Sequence, residues 1–161
     1  MITTKITIRP HLAEFLYGKY NNCDFDNPIS FSTMDDIYHL TWMLMRKRPE
    51  NCTPTDTGNV EIALDKNHEG KSRDTYNYLD HESQKIIDLK VEALFYLELH
   101  SRVEDNRMEG CPITTIQVIH SFMMDYSIES ISEDALYKND QRHREKTRKR
   151  RVRRIYNKSV K

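Results

Sequence analysis

The segment that decides the fold is residues 80–100, which read DHESQKIIDLKVEALFYLELH. Residues three or four apart lie on one face of a helix, and the apolar positions of this segment follow that spacing. Ile87, Val91, Leu94 and Glu98 share one face, with Phe95 and Leu99 beside them. A helix of about 25 residues is long for a chain of this size, so we expect it to form the spine of the fold.

Short strand-like segments precede this helix. Residues 3–8 alternate in the manner of a strand and stop at Pro10, residues 28–31 suggest a second strand, and residues 60–64 suggest a third. The third segment places Val60, Ile62 and Leu64 on one face. We therefore expect a small sheet of about three strands.

Two further helices are expected before the spine. Residues 11–20 form a short one, and a better one opens at Ser32 or Thr33 and ends at Pro49. Acidic residues at its start and basic residues at its end, residues 46–48, both favour the helix dipole. Its buried positions are expected to be Ile37, Leu40, Met43 and Leu44.

A helical hairpin is expected after the spine. Residues 104–110 break the pattern, and Pro112 suits the first turn of a helix whose apolar positions include Ile113, Ile116, Ile119, His120, Met123 and Tyr126. On this apolar face His120 is expected to be a core histidine. The final helix starts near Glu133 and has two candidate caps: Ser130 in a capping box with Glu133, or Ser132 with Ile131 and Leu136 as a hydrophobic staple.

These elements predict an α+β fold, with a small sheet covered by helices, a long central helix and a C-terminal helix-turn-helix-like hairpin that carries a basic tail. The predicted organisation is an acidic α+β domain over residues 1–110, a helix-break-helix over residues 111–146 and a basic tail over residues 147–161.

Charge is divided unequally along the chain. The 161 residues contain 25 basic and 25 acidic side chains, but residues 141–161 hold eleven of the bases and one acid, Glu145. Six of the seven residues from 148 to 154 are basic. Clustered arginine beside an acidic domain is typical of a surface that binds polyanions.

Nucleic-acid binding is therefore the predicted function, with duplex DNA favoured over RNA. Ile116, Met123, Ile131 and Leu136 are expected to position the hairpin, as the bracing helix does in a helix-turn-helix. Asn and Gln side chains can read adenine and Arg can read guanine, whereas a dense basic run holds phosphates. The side chains expected to face bases are Lys138, Asn139, Gln141 and Arg142. Those expected to contact phosphates are Arg148, Lys149, Arg150, Arg151, Arg153 and Arg154. Arg144 and Lys146 lie between the two sets and are also expected to bind nucleic acid.

Two alternatives stay open. The basic tail would also suit an acidic protein surface, on its own body or on a neighbouring molecule, and would then serve assembly, which is compatible with a homo-oligomer. An Arg-rich helix can also fold on RNA.

Other functions find little support in the residues. Seven His and three Cys, at positions 23, 52 and 111, show no metal-binding spacing, and no nucleophile or phosphate loop is recognisable. We therefore expect no enzyme activity, cofactor, metal or small-molecule substrate. Tyr17, Tyr20, Trp42 and residues 76–79 are weaker candidates for base stacking. No run of apolar residues is long enough to span a membrane, the first residues are unlike a secretory signal, and scattered cysteines suit a reducing cytoplasm.

One part of the chain resembles uncharacterised proteins of phages and mobile elements of gut anaerobes. The resemblance rests on residues 128–138, which end in ISEDALYK, and on the QRHR of residues 141–144. Residues 76–79 add to it. It implies a mobile-element setting and no particular activity. A second resemblance is to the C-terminal DNA-binding domain of bacterial replication initiators. In that family an apolar helix ends in an aromatic and an aliphatic residue, as Tyr126 and Ile128 would here, before an Arg-bearing helix.

Overall fold

The computed structural model describes residues 2–51, 57–64 and 70–159, with side chains described as far as residue 154 and at residue 156. Within these residues the chain forms an α+β fold, which confirms the expected class. The helices are α1 (Pro10–Asn21), α2 (Asp36–Leu44), α3 (His81–Met108), α4 (Thr115–Asp125) and α5 (Glu133–Ser159). The strands are β1 (Thr3–Ile6), β2 (Arg46–Lys47), β3 (Val60–Ala63) and β4 (Tyr76–Tyr78).

The strands form two small antiparallel sheets. β1 pairs with β3, and Ile29 joins their sheet through one bridge, in which its amide donates to the Glu61 carbonyl at 2.8 Å and its carbonyl accepts from Ala63 at 2.9 Å. The three segments predicted to be strands therefore lie next to one another, although residues 28–31 contribute a single bridge, at Ile29. β2 and β4 form a second sheet that the sequence pattern did not predict, because each has only two or three residues.

Helix α3 is the spine, as expected, and it begins directly after Asp80, whose side chain accepts from the Ser83 amide at 2.8 Å. Its fully buried stripe repeats every four residues: Ile87, Val91, Phe95, Leu99 and Val103. The Phe95 ring packs edge-on against Phe15 of α1 and Phe122 of α4, with centroids 5.3 and 5.2 Å apart. The core is therefore built where α1 and α4 meet the middle of α3.

The expected break at residues 104–110 is wrong for residues 104–108, because α3 continues to Met108. Val103 and Asn106 are both buried, so the last two turns of α3 still pack against the fold. The Asn106 side chain donates to the Ile113 carbonyl at 2.9 Å, which ties the turn after α3 back to the helix.

Helix α2 is shorter than predicted. It starts at Asp36 and ends at Leu44, so the basic residues assigned to its last turn lie partly in β2. The positive charge at its carboxyl end comes instead from Lys71, whose Nζ donates to the carbonyls of Trp42 at 2.7 Å and Met43 at 3.1 Å. Met43 was expected to be buried, but its side chain is 69% exposed. The neighbouring Trp42 is buried in the core instead.

Helix α4 begins at Thr115, three residues after the predicted Pro112. Thr114 and Gln117 form a capping box that fixes this start. The face of α4 that packs on the core also differs from the predicted one: Val118, Ile119 and Phe122 are buried, whereas Ile116 is 53% exposed and His120 is exposed. The predictions that Ile116 positions the hairpin and that His120 is a core histidine are therefore wrong.

Helix α5 begins at Glu133, and the Ser132 hydroxyl accepts from the Ala135 amide at 3.2 Å. Ser132 is thus the cap, because Ser130 is bound to Glu14 of α1. Leu136 is fully buried, while Met123 and Ile131 pack half-buried against the core, as expected of residues that position the hairpin. The helix continues past residue 147 without interruption, and within the described residues no helix has the length and apolar character needed to cross a membrane.

Candidate nucleic-acid interface

Asp140 fastens α5 to the spine helix. It lies four residues after the buried Leu136, and only 1% of its surface is exposed. Its carboxylate accepts from Arg107 Nη2 at 3.1 Å and lies 3.4 Å from His100 Nδ1, both on α3. Sequence reasoning missed this residue because Asp140 stands in a polar segment, although its position one turn after Leu136 was a usable signal.

The surroundings of Asp140 keep it ionised. Burial alone would raise the pKa of its carboxyl group, but the hydrogen bond from His100 and the positive charges of Arg107, His100 and Arg144 lower the pKa below the usual 3.8. The ionised carboxylate therefore has compensating partners on α3 and persists in ordinary buffers.

Two imidazole rings stack where α5 crosses α3. The rings of His100 and His143 are 3.9 Å apart between centroids and within 12° of parallel. Burial lowers the pKa of His143, and the charge of His100 lowers it further. Since like charges repel at this distance, the contact favours an uncharged His143.

A cleft of about 790 Å³ opens beside these contacts, between α3 and α5. Glu104 and Arg107 line its α3 side. Arg144, Arg148 and Arg151 line its α5 side, and their spacing of four and three residues puts them on one face of the helix. One surface of the basic helix therefore borders a groove rather than open solvent.

Between Arg142 and Arg154 α5 carries nine lysine and arginine side chains. None of them forms an ion pair with any residue that the structure describes, and all are exposed: Arg142, Arg144, Lys146, Arg148, Lys149, Arg150, Arg151, Arg153 and Arg154.

The cations of the body are held differently. Arg9 is bound by Asp88 and Glu92, and Lys90 lies 2.9 Å from Asp36. Arg9 and Lys90 are therefore neutralised by carboxylates of the body, whereas the cations of α5 between Arg142 and Arg154 remain available to a ligand.

The four side chains expected to face bases divide between different sides of α5. Lys138 pairs with Asp134 at 2.6 Å. Gln141 lines the 790 Å³ cleft, whereas Asn139 is half-buried and lines a second cleft with Arg142 and Lys146. At 100° per residue Asn139 and Gln141 point about 160° apart. Base reading by this set stays a prediction.

The first turn of α5 is unsuited to a polyanion. Glu133 and Asp134 lie in it, and the amides of Glu129 and Ser130 just before it donate to the Glu14 carboxylate at 2.9 and 3.1 Å. A helix-turn-helix usually inserts the start of its second helix into the groove. In this chain the available cations belong to the middle and end of that helix.

The weaker candidate sites gain little from the structure. Trp42 and Tyr17 are 1% and 5% exposed, so neither offers a face to a base. Across residues 2–51, 57–64 and 70–159 no three His, Cys, Asp or Glu side chains are grouped as metal ligands would be. His68 and Glu69, two neighbouring residues of types that can bind metals, lie outside the described residues.

No protein-family model, curated protein or solved structure matches the chain. The resemblances to mobile-element proteins and to replication initiators therefore stay predictions.

Proposed function

We propose that this protein is a non-enzymatic nucleic-acid-binding protein that holds duplex DNA through the carboxyl-terminal half of α5. One observation carries the proposal: nine exposed cations between Arg142 and Arg154 have no ion-pair partner among the described residues, whereas body cations such as Arg9 and Lys90 are paired. Phosphates supply the missing counter-charge, and release of their bound counterions drives the association.

The dimensions of the helix suit a DNA groove. Residues 142–154 span about 20 Å, and a helix about 10–12 Å across enters the major groove, which is about 12 Å wide. The Asp140 and His143 contacts with α3 hold the inner end of this segment. The basic segment of α5 is therefore attached to the body at its inner end. We propose that the protein acts in regulation or replication of a mobile element.

The test is a binding titration of the full chain against duplex DNA over a series of salt concentrations. Contact with about six phosphates gives a slope of log K against log salt near −5. Replacing Arg142, Lys149 and Arg153 with Gln removes three cations from one face of α5. We expect this variant to bind more weakly at low salt and to flatten the slope by about 2.7.

A matched variant separates local contacts from net charge. Replacing Lys5, Lys85 and Lys90 with Gln changes the net charge equally, but these lysines already pair with Glu61, Glu82 and Asp36. This variant should keep the slope of the natural chain. Absence of binding at low salt, or equal losses in both variants, would overturn the proposal.

Competition identifies the ligand class. Duplex DNA should displace labelled duplex more effectively than an RNA hairpin or an acidic polypeptide of equal charge. Preference for the polypeptide would favour docking on an acidic protein surface, and preference for RNA would favour the RNA-binding alternative.

A further inference from the structure

The 790 Å³ cleft between α3 and α5 carries a net positive charge. Four arginines and three acids are among its described lining residues, so the balance is positive by one charge when its two histidines are neutral. Glu104 and Asp140, two of the acids, are both bound by Arg107 at 3.1 Å. The third acid, Glu145, lies on α5 together with the other three arginines. The α5 wall of the cleft is therefore the positive one.

The arginines of this wall suit a phosphate group. Arg144, Arg148 and Arg151 lie on one face of the helix and span about 10 Å of its length. In the described part of the chain none of the three forms an ion pair. Guanidinium groups bind phosphate oxygens through paired hydrogen bonds, and a cleft of about 790 Å³ is in the size range of small-ligand sites. The phosphate could come from a free anion or from a nucleic-acid backbone.

A stack of three rings runs from α3 to α5 beside these arginines. The Tyr96 and His100 rings of α3 are 6.0 Å apart between centroids and within 20° of parallel, and His143 of α5 stacks on His100. The His100 side chain is only 14% exposed and lies 3.4 Å from Asp140. His143 is exposed and lines both clefts. A proton that enters the cleft with a ligand therefore has its acceptor in His143.

The charge of His143 depends on groups from both helices. Besides the three arginines of the α5 wall and Glu145, they are Tyr96, His100, Glu104, Asp105 and Arg107 on α3 and Asp140, Arg142, Lys146 and Arg150 on α5. Burial lowers the pKa of His143, and His100, Arg150 and Lys146 lower it further against the opposing effect of Asp140. A phosphate among these arginines shifts the balance toward the imidazolium, because an opposite charge favours the charged form.

We propose that the cleft between α3 and α5 is a phosphate-binding site, in which Arg144, Arg148 and Arg151 hold the phosphate and His143 takes up a proton as the phosphate binds. Each event then favours the other by the same factor. Affinity for phosphate rises as pH falls through the range in which His143 titrates. That the phosphate belongs to nucleic acid rests on the proposed function, whereas the cleft and its proton do not.

The first experiment titrates His143 by NMR in the full chain. Sulfate is the probe for a free anion because it has the shape of phosphate and does not itself titrate near neutral pH, and chloride at equal ionic strength is its control. Duplex DNA is the probe for backbone phosphates. At least one probe, at saturation, should raise the pKa of His143 by about one.

Two variants of equal charge locate the site. Replacing Arg144, Arg148 and Arg151 with Gln should abolish the rise in the pKa of His143. Replacing Arg142, Lys149 and Arg153 with Gln should leave the rise in place, because Lys149 and Arg153 do not line the cleft. Circular dichroism checks that both variants fold.

The second experiment measures affinity for the probe that binds, at two pH values. The natural chain should bind up to about tenfold more tightly at about pH 5.5 than at about pH 7.5. His143→Gln should lose this increase. His81→Gln should keep it, because the exposed His81 lies in the first turn of α3, at the opposite end from the cleft.

The outcomes separate this inference from the proposed function. A rise in the pKa of His143 with sulfate, in a chain that does not bind DNA, would support the phosphate site and overturn the proposed function. A rise with duplex DNA would support both. No rise with either probe, a rise that survives the loss of Arg144, Arg148 and Arg151, or an equal dependence on pH in His143→Gln would overturn the inference.

Discussion

The Asp140 carboxylate on α5 lies 3.1 Å from the Arg107 guanidinium on α3, and Asp140 is almost fully buried at this contact. The pair links the hairpin to the spine helix at the point where the apolar part of α5 ends. Beyond it the helix is basic and exposed. This buried ion pair therefore helps to set the direction in which the basic segment leaves the body, together with Leu136 and the stacked rings of His100 and His143.

Replacing Asp140 with Ala should lower the free energy of unfolding by about 2 kcal/mol, since a buried charged hydrogen bond is lost and Arg107 keeps only its contact with Glu104. Urea denaturation measures the change. The control is Asp134→Ala, which removes the exposed pair with Lys138 and should cost under about 0.5 kcal/mol. Equal losses in the two variants would show that Asp140 does not anchor the helix.

The contact between α5 and α3 should weaken in mild acid. The pKa of His143 lies below its ordinary value of 6.5 in the folded chain, so the unfolded chain binds a proton at higher pH than the folded one. The free energy of unfolding should therefore fall as pH decreases through about 6.5 and level off below the folded pKa. Histidine titration by NMR should give a midpoint for His143 below 6.5.

His11 contributes in the same direction, because burial also lowers its pKa. His143→Gln should therefore reduce the slope of the free energy of unfolding against pH without abolishing it. His81→Gln, at an exposed position, is the control and should leave this slope unchanged. The Asp140 contribution is separate, since a lowered carboxyl pKa gives stability that is present above about 3.8 and lost only in stronger acid. A His143 midpoint at or above 6.5 would contradict this prediction.

The end of α5 should become more helical when its charge is screened. Like charges four residues apart, such as Arg144 with Arg148 and Arg150 with Arg154, each cost about 0.2–0.5 kcal/mol. Amide hydrogen exchange over residues 148–154 should therefore slow on addition of salt or duplex DNA. Replacing Arg148, Arg150 and Arg154 with Gln should slow the exchange at low salt and reduce its dependence on salt.

Exchange in α4, which lacks such a charge run, serves as the internal control for that experiment. The prediction is wrong if exchange at the end of α5 is as insensitive to salt as exchange in α4.

Gly18 should tolerate no side chain. A Cβ there would lie 2.7 Å from the Cα and 2.8 Å from the carbonyl oxygen of Tyr126, so α1 and the end of α4 would have to move apart. In an open helix Gly→Ala would gain about 1 kcal/mol, but here we expect a loss of about 1–3 kcal/mol. Thermal unfolding measures it, with Ser121→Ala on the exposed face of α4 as control. A stabilised Gly18→Ala variant would contradict the close approach.

Helices with strong local signals were predicted well, and short or ambiguous elements were not. The repeat of apolar residues located α3, and the polar run after Leu136 indicated a helix leading into the basic segment. The end of α2 was misplaced because Lys71, far along the chain, caps it. Ile116 and His120 were misplaced because apolar residues occur around much of α4, and only packing against α3, as of Phe122 on Phe95, selects the face that is buried.

The sequence by itself determined the spine helix, the fold class and the separation of acidic body from basic end, because periodicity and charge are local properties of a chain. Tertiary structure alone decided which cations are free, since that depends on carboxylates distant in sequence, as in the pairing of Arg9 with Asp88. It also decided that Asp140 is buried against α3, whereas Leu89 and Leu97 of that helix are exposed. Burial follows from what packs against a helix, which its own residues do not specify.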